Sequence, residues 1–134
     1  MTKPEQKALG EYVRLVADML ELRDWTIELS EEPAPADSYG HITNTYGRKL
    51  AVLKLAPDFR SLTASQQRHT VVHELVHCHL ESATNMVLND LESHLAKQAD
   101  QLFWEGFKRQ IEYGVDALAS AIAKQMPLIV WPKK

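Results

Sequence analysis

His73-Glu74-Leu75-Val76-His77 carries the residue types of metal-assisted hydrolysis at a spacing that lets them act together. On an α-helix of about 3.6 residues per turn, positions four apart lie only about 40° from each other around the axis, so His73 and His77 point the same way. Two imidazoles converging on one point can share a Zn²⁺ ion. Glu74, on the neighbouring edge of that face, can reach a water at the metal and serve as general base. The same pattern also arises by chance on solvated helices, as two surface histidines and a surface glutamate. The flanks argue otherwise here. Val71-Val72 precede the motif and Leu75-Val76 lie inside it, so the helix that carries it reads as buried, and buried histidines need partners.

A catalytic zinc site takes three protein ligands and leaves a position for water, so a third ligand is expected from elsewhere in the chain. The candidates are Glu81, Glu92, His94 and Glu112, with His69 and His79 less suited. Glu81 and His69 lie in a row with the motif histidines along one helix and cannot easily converge with them, and His79 faces nearly the opposite way. Glu112 is the favoured candidate. It and Asp116 are again four apart, and Val115, Leu118, Ala119 and Ile122 place an apolar stripe beside them, so their helix packs on another element. A carboxylate ligand with a second carboxylate one turn on suits zinc, because the second can accept a hydrogen bond from the free nitrogen of a histidine ligand and fix its tautomer.

These residues must be positioned by helices and a small sheet. Leu9, Val13, Val16 and Leu20 recur at helical spacing from Pro4 to about Leu22. Trp25 to Leu29 alternates as a half-buried strand, and Pro33 and Pro35 end it. Tyr39 to Thr45 and Leu50 to Leu55 form a hairpin about the Tyr46-Gly47-Arg48 turn. Thr63-Ala64-Ser65-Gln66 fits a capping box, which opens the motif helix and carries it to about Ser82. From Leu91 to Met126 the residues are helix-forming, interrupted only by Gly106 and Gly114. One helix of that length would span on the order of 50 Å at about 1.5 Å per residue, so two helices or one sharply bent helix are expected. Leu128 to Trp131 reads as a short terminal strand or a packed tail. The whole is an α+β domain spanning 1–134.

At 134 residues the chain can bury a core without disulfides, and Cys78, its only cysteine, is expected to fill that core. No apolar run approaches the roughly 18 residues of a membrane span. The N-terminus lacks a secretion-like apolar core, and a cytoplasmic location is expected. The net charge of −3, with both signs interspersed, gives no electrostatic footprint for nucleic acid.

With the second motif, Glu112-Tyr113-Gly114-Val115-Asp116-Ala117-Leu118-Ala119, and Met126-Pro127 closing the helix, the chain resembles the ImmA/IrrE-type zinc metallopeptidases of phages and bacteria. The resemblance covers about Trp25 to Pro127. It implies a compact zincin-like domain with His73, His77 and Glu112 on zinc, Glu74 as general base and Asp116 in support. It also implies a peptide or protein substrate, with Leu50 to Leu55 as the strand that borders the cleft and pairs with it. Tyr39, His41, Tyr46 and Tyr113 are candidates to stabilise the oxyanion. A histidine third ligand such as His94 would instead resemble the SprT-like repair proteases, and a non-catalytic, zinc-supported binding module is the alternative function.

Overall fold

Thr2 accepts a hydrogen bond from the Glu5 backbone while the Glu5 side chain reaches back to Thr2, and this reciprocal cap starts α1, Lys3–Met19. Its apolar stripe, Leu9, Tyr12, Val13, Val16 and Ala17, is buried. The computed structural model describes residues 1–91, 94 and 97–133. Three strands follow α1: β1, Thr26–Leu29; β2, Gly40–Asn44; and β3, Leu50–Leu55. The expected hairpin of β2 and β3 forms, antiparallel, with Gly47 at φ +69° in its turn, a left-handed conformation that favours glycine. β1 pairs with the other side of β3, in parallel, so the sheet order is β1-β3-β2.

That order overturns one expectation. β3 is the central strand, hydrogen-bonded on both sides, and has no free edge to offer a substrate. β1 and β2 are the edge strands, and β2 is the one that lines the cleft beside His77 and Glu112. Thr45 donates to the Leu50 carbonyl and Ala56 to that of Tyr39, so the residues facing β3 alternate as 39, 41, 43 and 45. The main-chain groups of Gly40, Ile42 and Asn44 therefore face away from β3.

A 3₁₀ turn, Phe59–Ser61, leads to α2, Ala64–Met86. The expected capping box is present, with Thr63 and Gln66 satisfying each other's backbone groups. Val71, Val72, Leu75, Val76 and Cys78 are buried, on a core shared with the sheet residues Ile42, Ala51, Leu53 and Leu55. α2 continues about one turn past the expected Ser82 and gives way to a π-helical turn, Val87–Leu91.

α3 is one continuous helix, Lys97–Ala123, within the stretch from Leu91 to Met126 where two helices or one sharply bent helix are expected, and residues 92, 93, 95 and 96 of that stretch lie outside the described residues. Gly106 and Gly114 lie within it with open space where a Cβ would stand. Each costs about 1 kcal/mol relative to alanine, which tertiary packing can override. Val115, Ala119 and Ala123 supply that packing as a buried stripe on α3. α2 and α3 run antiparallel, since His73 meets Asp116 while Arg68, one turn earlier on α2, reaches the Met126 carbonyl. Leu128 to Trp131 forms a packed tail, with Ile129 buried and the Trp131 indole donating to Gln67. The architecture is α+β, and no described helix is long and apolar enough to cross a membrane.

Candidate metal centre

His73 and His77 project from α2 toward α3, where Glu112 stands half exposed. The fit of this group to zinc can be tested by distance. Tetrahedral coordination with bonds of about 2.0–2.1 Å sets neighbouring donor atoms about 3.3–3.4 Å apart. The Nε2 atoms of His73 and His77 are 3.3 Å apart. Glu112 Oε2 lies 3.4 Å from His73 Nε2, and its Oε1 lies 3.4 Å from His77 Nε2. The carboxylate thus straddles the histidine pair, offering one oxygen to each. Two imidazoles and a carboxylate are donors that zinc accepts, and with the separations they fit that ion.

Asp116, one turn on from Glu112, brings Oδ1 to 2.9 Å from His73 Nδ1. A carboxylate can only accept, so Nδ1 carries the proton and the Nε2 lone pair is left facing the site. Burial lowers the pKa of His77, against the opposing pull of the Glu112 charge, which keeps its ring neutral below the ordinary histidine range. Neutral imidazole is the form that binds metal.

Glu74 is 7 % exposed. Burial raises its pKa to about 7, with the Glu112 charge adding to the rise and a backbone hydrogen bond from Ile42 opposing it. A carboxyl group with that pKa gives and takes protons near neutrality. Access to it comes from two sides. A cleft of about 490 Å³ is lined by Glu74, His77, Glu112 and the β2 residues His41 to Asn44. A smaller cavity of about 210 Å³ is lined by Glu74, His73, Asp116 and Tyr39. The larger hollow of about 680 Å³ beside α1, near Leu9, Leu29 and Leu55, holds no histidine or cysteine, so size alone does not locate the chemistry.

The other sequence candidates fall elsewhere. His69, His73 and Asp116 form a second group of donor atoms within 4.8 Å of one another, but it shares His73 with the first and takes up the carboxylate already bonded to Nδ1. His79 lies 2.7 Å from the Leu20 carbonyl and ties α2 to the end of α1. Glu81 faces Asn44 and Asn85. His94 is exposed and belongs to neither donor group, and Glu92 lies outside the described residues. Among the oxyanion candidates, His41 lines the larger cleft and Tyr39 the smaller cavity. Tyr46 lines a separate groove with Trp25, and Tyr113 is exposed and lines neither cavity of the site.

Gly40 is a contributor that sequence reasoning missed. A Cβ there would stand 2.8 Å from Thr70 Cγ2, 2.9 Å from Glu74 Cγ and 3.0 Å from Glu74 Oε1. The bare backbone lets β2 close on α2 and hold the Ile42 N–H against the Glu74 carboxylate. A glycine at the start of a strand is the available signal, since such residues often mark close approach of another group. Comparison of the chain with models of known families, with curated proteins and with solved structures returns no match.

Proposed function

We propose that this protein is a zinc-dependent metallopeptidase, related to the ImmA/IrrE type and acting in the cytoplasm on a peptide or protein. The observation that carries the reading is the convergence of His73, His77 and Glu112, with the two Nε2 atoms 3.3 Å apart and each 3.4 Å from one oxygen of the Glu112 carboxylate, and with buried Glu74 beside them. The buried, free Cys78 is in keeping with a reducing compartment.

His73, His77 and Glu112 hold the metal, and Asp116 orients His73 through Nδ1. A zinc ion there supplies Lewis-acid polarisation of a carbonyl and acidifies water. Glu74 accepts a proton from the attacking water on a carboxylate oxygen and delivers it to the leaving amine nitrogen. The outward carbonyl of Ile42, whose N–H is taken by Glu74, and the main-chain groups of Asn44 on β2 align an extended peptide along the cleft by strand addition. His41, on the same strand, lines the same cleft, which supports it as the donor to the developing oxyanion.

Zinc content and cleavage of a random peptide library, measured for wild type and Glu74→Gln, test the reading. The expected result is zinc in both proteins and turnover only in wild type. A zinc-loaded wild type that cleaves nothing would leave the non-catalytic binding module as the better account.

A further inference from the structure

Past His77 the larger cleft continues between β2, the second half of α2 and the first half of α3. On the α3 wall, Ile111 and Phe107 extend, turn by turn, the apolar stripe that Val115, Ala119 and Ala123 bury completely or nearly so. Both are only partly covered and line open space. On the α2 wall stands Glu81, one turn beyond His77.

Glu81 is held by two amides from different elements. Asn44 Nδ2 of β2 donates to Oε2 at 2.5 Å, and Asn85 Nδ2 donates to Oε1. The Cys78 thiol lies 3.7 Å from Asn44 Oδ1, which fixes the end of that amide turned toward Glu81. Burial pushes the thiol up to about 12, so it remains a donor. The main-chain carbonyl of Asn85 accepts from Asn89 Nδ2 at 2.8 Å.

A carboxylate offers about four acceptor positions, and these bonds occupy two. Among the described residues no lysine, arginine or histidine forms an ion pair with Glu81. Lys108, the lysine on the cleft wall, has its ammonium 5.7 Å from the centre of the Trp104 ring, and Arg48 lines the adjoining groove without pairing. The cleft thus joins an apolar wall to a fixed carboxylate that has acceptor capacity to spare.

We propose that this region is a subsite for a cationic side chain, the stem of a substrate lysine or arginine lying along Phe107 and Ile111 with its charged end on Glu81. The proposal rests on the peptidase reading above and names the substrate class for that cleft. A neutral side chain of the same length would desolvate Glu81 without replacing its water, and an acidic one would be repelled.

The test uses zinc-loaded Glu74→Gln protein, which binds peptide without consuming it, and fluorescein-labelled polyalanine pentapeptides with a central lysine, arginine or norleucine. Fluorescence anisotropy is expected to show lysine and arginine peptides bound about tenfold more tightly than norleucine, as a charged hydrogen bond gives. Adding Glu81→Gln is expected to remove the difference. Equal binding of the three peptides, no binding at all, or a difference that survives Glu81→Gln would overturn the proposal, and the first two need no Glu81 variant to fold. Incubating the same peptides with zinc-loaded wild type separates the two claims. Preferred binding without cleavage sinks the peptidase reading and leaves the subsite, while cleavage without preference does the reverse.

Discussion

Replacing Glu74 by glutamine should stabilise the metal-free protein at and above neutral pH, although it removes the proposed general base. Glutamine keeps the shape of the side chain and an oxygen that can accept from the Ile42 backbone, and it discards a buried charge that faces Glu112. In the folded chain the carboxyl pKa is about 7 against a reference of 4.5. The folded state therefore holds an extra proton between those values, and wild-type stability falls as pH rises through that window. Below it both states are protonated and the two proteins should match. Above it the wild type bears the whole penalty, from 4.5 to about 7 at about 1.4 kcal/mol for each pH unit, or about 3.5 kcal/mol. For a domain of this size that corresponds to a rise in Tm of roughly 10 °C for the variant at about pH 8. Thermal unfolding of both proteins in the presence of a chelator, at steps from about pH 4.5 to about pH 8, measures it. A difference that does not change with pH, or a glutamine variant less stable than wild type at the alkaline end, would refute the reasoning.

Three further outcomes are expected. Asp116→Asn should weaken zinc binding by about 10–100-fold, read by competition with a zinc-sensitive dye, because the tautomer of His73 is no longer enforced. Gly40→Ala should destabilise the protein by about 1–3 kcal/mol and reduce turnover, since the new methyl group meets Thr70 and Glu74 at 3.0 Å or less; an unchanged Tm would show that β2 and α2 can simply move apart. Because burial lowers the His77 pKa from 6.5, zinc retention in dialysis should persist below that pH and fail only as His77 protonates. Release centred at or above the ordinary histidine value would contradict the shift.

What was legible in the chain was local. His73 and His77, like Glu112 and Asp116, are pairs four apart on helices whose starts and apolar faces follow from near neighbours, as the Thr63–Gln66 cap does. That the two helices would bring these pairs together rested on the apolar stripe through Val115 and Ala119, which had to pack on something. The edge strand at the site was not legible, because β1 joins β3 in parallel across an intervening strand, so β3 is covered and β2 becomes the edge that lines the cleft. Gly40 against Glu74 and Asn44 against Glu81 are contacts across more than 30 residues, set by the docking of β2 on α2. α3 runs through Gly106 and Gly114 because packing outweighs their weak helix propensity.

Zinc stoichiometry by native mass spectrometry, compared across wild type, His77→Ala, Glu112→Gln and His94→Ala, tests the central claim most directly. The account predicts one zinc per chain in wild type and His94→Ala, and loss of stoichiometric zinc in the other two. Zinc kept by Glu112→Gln and lost by His94→Ala, or no zinc in wild type after loading, would contradict it.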